Sequence, residues 1–335
     1  MKILVIRFSS LGDVVLTTAL FPNLKAFWPQ VELSVLTKEA FAPVFDGNPH
    51  VDHVWIFNPE RQPFAELAQE LRAYNFDLVF DLQGNLRSFY LRLLTGARRV
   101  IRMRKNSLER RLLVWFKKDS RKLQKTVRER ILDCLAPLEI SEVNGETQLY
   151  PKKPAEILKV FSLEQDTVLV GLAPGAQHQT KQWGPEKFAE VANHLCSGQK
   201  RVAVLLGDKS DAEAAGQVVK NLRVPFRDLT GWTNLSELIA VVSRLSILVT
   251  NDSGIMHISD AFKIPTVAVF GPTVRQFGFV PYRSSSRIVE IHDMKCRPCS
   301  LHGTEKCPLK HHRCMEDITV ENVLQGCREV QNPVS

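Results

Sequence analysis

Apolar and polar positions along the chain alternate between two periods. KILVIR, residues 2–7, is a continuous apolar run of strand length ended by Arg7, and DVVLTTALFPNLKAF, residues 13–27, spaces its apolar residues as a helix does. VELSVLT and HVWIF follow as strands, FAELAQELRAY as a helix and FDLVFDL as another strand. Strands that alternate with helices argue for βαβ units and a parallel sheet with helices on both faces. The pattern lapses over VNGETQLYPKKP, residues 143–154, a polar, Pro-containing stretch that reads as a linker. It then restarts. TVLVGLAPG, RVAVLLG, SILVT and PTVAVFGPT read as strands; PEKFAEVANHL, SDAEAAGQVVKNL and SELIAVVSRL read as helices, with Pro185 suited to a first helical turn. Two α/β halves without sequence repetition predict two Rossmann-like domains facing one another across a cleft. Ligands of such sheets sit beyond the carboxyl ends of the strands.

Length and composition agree with that picture. The 335 residues are enough for two cores of ordinary size. The 44% apolar and 24% charged residues are those of a soluble globular protein. No apolar stretch reaches the roughly 18–20 residues of a membrane span. MKILVIRFSS is too short and too polar for a signal peptide, so a cytoplasmic chain with reduced cysteines is expected. The formal charge of +8 is unevenly spread: residues 86–130 carry sixteen Lys and Arg against Glu109, Asp119 and Glu129. A charge run is usually a solvated helical face. Here the basic residues are interleaved with Leu112, Leu113, Val114, Trp115 and Phe116, a mixture that suits an anionic membrane surface. Nucleic acid is not the expected partner, because no helix-turn-helix, zinc-finger or aromatic RNA-binding motif is present.

Three strand ends carry candidate chemistry. In RFSSLGDVV, Asp13 opens a helix; it reads either as an N-cap or as a general base at the rim of a cleft. The dinucleotide fingerprint G-x-G-x-x-G is absent. In LAPGAQHQTKQWGPEKF, Lys181 lies in the loop between a strand and a helix, where a long cation can reach a bound anion, although a loop lysine is usually just solvated. In LVTNDSGIMHISDAF, a strand hands over to a helix at Asp252-Ser253-Gly254, with His257 one turn in. Unpaired first-turn amides and the helix dipole there favour an anion, and glycine lets a phosphate come close. Capping and packing explain the same stretch without a ligand.

Together, GDVVLTTALFPNLK, APGAQHQTKQWGPEKFAEVA and TNDSGIMHISDAFKIPTVAVFGPT, in this order and spacing, resemble the ADP-heptose:lipopolysaccharide heptosyltransferases of glycosyltransferase family 9. The resemblance runs from residue 1 to about residue 323. It implies a GT-B architecture: an acceptor domain over residues 1–155, a nucleotide-sugar domain over 156–335, and a C-terminal helix returning to the first domain. It also implies inverting, metal-independent transfer of L-glycero-D-manno-heptose from ADP-heptose to the lipopolysaccharide inner core, at the cytoplasmic face of the inner membrane and with no cofactor required. By the family's pattern Asp13 is the catalytic base and Lys181 contacts the donor's phosphates. Asp252, Ser253 and Gly254, with His257, hold the ADP portion, and Thr233 lies near the nucleotide. The basic region 86–130 gains a target in the carboxylates and phosphates of a lipid-anchored acceptor. Family members often carry Arg where Gln182 stands, a departure that bears on phosphate contact. The rival readings are a related transferase with another nucleotide sugar or a protein acceptor, and a GT-B nucleotide-sugar epimerase, which needs no lipid-like acceptor.

One motif stands outside this scheme. CRPCSLHGTEKCPLKHHRC spaces Cys296, Cys299, Cys307 and Cys314 as C-x2-C-x7-C-x6-C. Such thiols could bind a structural zinc, form a disulfide or stay reduced near a domain boundary, and the spacing is not that of a standard finger. No catalytic role is expected of them.

Overall fold

The computed structural model describes residues 1–164, 166–198 and 200–331. The chain forms two compact units, Met1–Asn106 with Lys125–Tyr150, and Ser107–Gln124 with Pro151–Ser335.

The first unit is built on five parallel strands: β1 (Lys2–Ile6), β2 (Glu32–Lys38), β3 (His53–Phe57), β4 (Leu78–Asp81) and β5 (Arg99–Arg102), in the order β3-β2-β1-β4-β5. Each crossover from β1 through β3 steps one way, and the chain then returns to the other side of β1 to lay down β4. The carboxyl ends of β1 and β4, with Ile6 opposite Asp81, therefore flank the switch point of this sheet. Leu4, Ile6, Leu36 and Val79 of the sheet pack with Leu67, Ala68 and Leu71 of the helix Phe64–Tyr74. The helix expected over residues 13–27 is two helices, Leu11–Thr17 and Phe21–Phe27, joined by a 3-10 turn, Thr18–Leu20. Pro22 has no N–H to return to Thr18, so the α-helical ladder cannot run through. The polar stretch after residue 143 lacks regular structure but is tied down: Asn23 and Asn144 exchange two hydrogen bonds, and Gln148 N donates to Thr18 Oγ1 at 3.0 Å.

The second unit has six parallel strands, β6 (Val168–Ala173), β7 (Arg201–Leu205), β8 (Phe226–Asp228), β9 (Ile247–Asn251), β10 (Thr266–Phe270) and β11 (Ser286–Glu290), in the order β11-β10-β9-β6-β7-β8. Its switch point lies between β6 and β9. One side of the sheet is covered by the helices Pro185–Leu195 and Val320–Gln331 around Val170, Leu172, Val249, Val267 and Val269. The expectation of two Rossmann-like units holds. β5, β8 and β11 were not anticipated, because RVIR, FRD and SRIVE mix charge into runs that occupy sheet edges, where solvent meets one side.

Two boundaries differ from those expected of the sequence. The division falls at Tyr150/Pro151, and residues 107–124, expected within a continuous first domain, belong to the second unit. There Leu113 and Leu123 bury against Phe277, with Val274 and Leu301 beside them, so apolar packing outweighs proximity in sequence. The C-terminal helix, expected to return to the first domain, packs on β10 and β11. Gly326 allows this: a Cβ there would stand 3.2 Å from Val267 Cγ1 and 3.3 Å from Val289 Cγ2. No helix among the described residues is long and apolar enough to cross a membrane.

Candidate functional site

At the switch point of the first unit, β1 runs into Arg7, whose side chain is buried. Its Nη2 pairs with Asp13 Oδ1 at 2.5 Å, Nε donates to the Ser9 carbonyl at 3.0 Å and Nη1 to the Leu82 carbonyl just beyond β4. Ser10 is the N-cap of the helix Leu11–Thr17 and Asp13 its third residue, so the cap itself is Ser10 and not Asp13, as one reading of the sequence had it. The Asp13 carboxylate instead reaches back: Oδ2 accepts from Ser10 Oγ at 3.0 Å and from Ser10 N at 3.3 Å. A carboxylate in the first turn also sits favourably on the helix dipole. Gln83, the second residue after β4, accepts from the Phe8 and Ser9 amides at 2.9 and 3.3 Å and so fixes the loop that leads into the helix carrying Asp13. Asp81 at the end of β4 is buried, accepts from Gly84 N at 2.7 Å and pairs with Arg92 at 3.4 Å. The result is a nearly buried carboxylate held in one orientation at the end of the sheet where ligands bind.

At the switch point of the second unit, the loop after β6 and the turn after β9 meet. Lys181 Nζ pairs with Asp252 Oδ2 at 2.7 Å, and both side chains are mostly buried. Thr273, just beyond β10, donates its hydroxyl to the same Oδ2 at 2.7 Å. Asn251 locks the two strand ends: its Nδ2 donates to the Pro174 carbonyl at 2.7 Å and its Oδ1 accepts from Trp183 N at 3.1 Å. Ser253 stands at the N-cap of the helix Gly254–Ala261, yet its hydroxyl makes no cap bond and lies 3.2 Å from Thr250 Oγ1. The helix thus presents its first turn without a side-chain cap, next to a lysine, with Gly254 as its first residue. Such a terminus attracts an anion through its amides and its dipole. A cation, a helix N-terminus and a carboxylate that can accept from a hydroxyl are the groups a nucleoside diphosphate or its sugar would need.

The other expected residues are placed as follows. His257 is buried in the helix Gly254–Ala261, where it acts electrostatically on Asp260. Burial above all pushes the Asp260 carboxyl up, against hydrogen bonds from the Tyr282 and Arg283 region. Thr233 lies half-buried before the helix Leu235–Val242, and among the described residues no hydrogen bond or ion pair joins it to Lys181 or Asp252. Gln182 turns its amide onto the Ala176 carbonyl at 3.2 Å, within its own loop. All seven cysteines are free thiols. Among the described residues no three or more His, Cys, Asp or Glu side chains are grouped to hold a metal ion. Burial pushes the Cys314 thiol up to about 12, and burial with Cys307 and Cys296 nearby raises Cys299. Cys307 is lowered, burial being outweighed by amides of residues 309–312. Within the basic region, Leu86, Tyr90 and Leu93 of one helix and Leu108, Trp115 and Phe116 of another are exposed.

Sequence reasoning passed over Arg7, Gln83, Asp81, Asn251 and Thr273. Arg7 had a visible signal, a charge closing an apolar run. Thr273 and Gln83 had none, because their roles exist only once β10 and β4 stand beside their neighbours.

A family model described as glycosyltransferase family 9 (heptosyltransferase) matches residues 64–310. The chain is 31% identical over 175 residues to lipooligosaccharide heptosyltransferase 2 of Campylobacter jejuni, across 51% of this chain and 54% of that one. It therefore spans about half the length of that relative. Against lipopolysaccharide heptosyltransferase 2 of Salmonella typhimurium it is 27% identical over 359 residues, covering 97% of each. The solved structure of Escherichia coli ADP-heptose lps heptosyltransferase II aligns over 99% of this chain and 98% of its own, with a TM-score of 0.80 and 23% identity, which speaks to the fold.

Proposed function

The chain belongs to glycosyltransferase family 9, the heptosyltransferases, and from that premise we propose that it moves L-glycero-D-manno-heptose from ADP-heptose to the inner core of a lipopolysaccharide, inverting the anomeric centre without a metal. The observation that carries this reading is the Lys181–Asp252 pair beside the uncapped helix at Ser253-Gly254, at the switch point of the second sheet. The names of the relatives supply ADP-heptose and lipopolysaccharide; the geometry supplies groups suited to a nucleoside diphosphate and to an acceptor hydroxyl.

In this reading the second unit holds the donor. Lys181 and the amides at Gly254 take up the negative charge that grows on the departing diphosphate, the task a metal performs elsewhere. Asp252, kept in place by Thr273, orients Lys181 and can accept from a sugar or ribose hydroxyl. The first unit supplies Asp13 as general base for the acceptor hydroxyl. Arg7 and Ser10 fix its carboxylate, so little reorganisation is needed when the proton arrives. The exposed Trp115 and Phe116, next to Arg110, Arg111 and Lys118, suit an anionic lipid surface from which an acceptor of this class would be drawn.

The test is ADP release from ADP-heptose with a heptose-deficient lipopolysaccharide acceptor, run in EDTA. Asp13→Asn should lower turnover by about 100- to 10,000-fold, and Lys181→Ala by about 100-fold or more. Release that survives Asp13→Asn would return that residue to helix-end chemistry. Release that does not need the acceptor would refute transfer, and inhibition by EDTA would refute metal independence.

A further inference from the structure

We propose that the cysteine-rich segment, residues 296–314, is a clasp that positions Lys181 and thereby sets donor affinity; the proposal rests on Lys181 being a donor ligand. The segment is anchored on both sides of the Lys181–Asp252 pair. At its start, Arg297 Nη2 donates to the Thr273 carbonyl at 2.8 Å, and the Thr273 hydroxyl is the one that holds Asp252. Lys117, at the end of the helix Ser107–Phe116, pins the same stretch by donating to the Pro298 and Cys296 carbonyls at 2.6 and 3.2 Å.

Further along, Thr304 and Thr180 bind each other in both directions. Thr180 N and Oγ1 donate to the Thr304 carbonyl at 3.1 and 2.6 Å, and Thr304 N donates to Thr180 Oγ1 at 2.8 Å. His312 Nε2 lies 2.9 Å from the Thr180 carbonyl, which can only accept, so the ring is protonated at Nε2 in this contact. Thr180 is buried and is the residue immediately before Lys181.

Between these anchors, the chain passes close over the lysine stem. Gly303 has φ +102°, and a Cβ there would stand 3.0 Å from both Lys181 Cγ and Cδ and 2.8 Å from His178 Cβ. The ring thus closes: Lys181, Asp252, Thr273, Arg297, then Gly303 and Thr304, and back through Thr180. A lysine has a flexible four-carbon stem, and its pairing with Asp252 fixes only the head. The clasp walls the stem and fixes the backbone from which it springs. That is a reason for a loop with little regular secondary structure to be held by so many polar anchors.

The experiment is a double-mutant cycle on ADP affinity, measured by titration calorimetry, with donor and acceptor KM beside it. Thr180→Val keeps the shape of the side chain and removes the hydroxyl; it should raise the ADP Kd about tenfold, raise the donor KM in parallel and leave the acceptor KM unchanged. Thr180→Ser should restore affinity to within about threefold of wild type. In a Lys181→Ala background, Thr180→Val should add less than about twofold, because the residue through which it acts is gone. His312→Ala, which removes a partly exposed contact, should repeat the pattern should Thr180→Val fold poorly. Equal effects of Thr180→Val with and without Lys181 would overturn the clasp, and so would unchanged ADP affinity in both Thr180→Val and His312→Ala. Wild-type protein that does not bind ADP would overturn the donor reading and the clasp together, whereas wild type that binds and variants that bind as well would overturn the clasp alone.

Discussion

Replacing Arg7 by methionine keeps an apolar stem of similar length and removes the charge that faces Asp13. The two side chains are 5% and 11% exposed and their charged atoms stand 2.5 Å apart. Breaking a buried pair by deleting one partner costs about 3–5 kcal/mol, because the surviving charge is left without compensation. Asp13 retains its two bonds from Ser10 and some contact with solvent, which places Arg7→Met toward the lower end, at about 3 kcal/mol. Asp13→Asn strands the guanidinium less completely, since Arg7 still holds the Ser9 and Leu82 carbonyls, and about 2 kcal/mol is expected. The two changes act on one interaction, so the double variant should recover about 2 kcal/mol relative to the sum. Urea unfolding followed by fluorescence and far-UV circular dichroism measures this, with midpoints compared only where the slope m is unchanged. Turnover offers a second axis: Arg7→Met should lower kcat and leave the ADP Kd alone, because Arg7 belongs to the first unit and the donor reading rests on the second. Additivity within about 0.5 kcal/mol would show the pair to be energetically idle. A change in ADP affinity would refute the division of labour.

Glu290 gives a pH-dependent prediction. Burial works to raise its pKa, but hydrogen bonds from Arg275 and Arg297 prevail and hold it below the ordinary value of 4.5. A depressed carboxylate contributes stability that is present above its unfolded pKa and lost as pH falls through its folded one. Glu290→Gln should therefore be less stable at neutral pH and should lose less on acidification from pH 5 to pH 3, read as melting temperature; parallel curves for the two proteins would refute the assignment. For the lipid surface, Trp115→Ser with Phe116→Ser should weaken sedimentation with vesicles of anionic phospholipid about tenfold, and neutral vesicles should bind wild type poorly. Equal binding to both vesicle types would remove the electrostatic part of that reading.

The fold was legible because period and punctuation agree. Helices such as Phe64–Tyr74 and Pro185–Leu195 begin and end where FAELAQELRAY and PEKFAEVANHL do, since each has a clean apolar face. The edge strands were not legible: Arg99, Arg102, Arg227 and Arg287 interrupt the apolar signal at positions where an edge tolerates charge. Nor could local pattern reveal that residues 107–124 leave the first unit, because that depends on Phe277 and Leu301, more than 150 residues away in the chain. At the sites, Asp13, Lys181 and Asp252 stood out as polar residues at strand ends. Their partners did not. The pairing of Lys181 with Asp252 spans the crossover that brings β9 beside β6, and the pairing of Arg7 with Asp13 depends on a turn that folds one residue back on the other.

Both switch points hold an acid and a base in a buried pair, and this arrangement has a physical reason. A lone carboxylate or ammonium at such a depth would be expelled toward solvent or neutralised, so an ion needed there must be compensated before its ligand arrives. Compensation differs between the two. Arg7 is itself anchored on two backbone carbonyls and cannot leave Asp13 without stranding them, so that pair is built to stay closed. Lys181 has Asp252 as its charged partner, while Asp252 has a second donor in Thr273. An incoming phosphate can therefore draw Lys181 away while the Thr273 hydroxyl continues to donate to Asp252. The first pair holds a carboxylate in position; the second can exchange partners. That asymmetry is what the proposed roles of Asp13 as base and Lys181 as phosphate ligand require, and under those roles it would make the clasp around Lys181 consequential, since a side chain that must change partners needs its stem held.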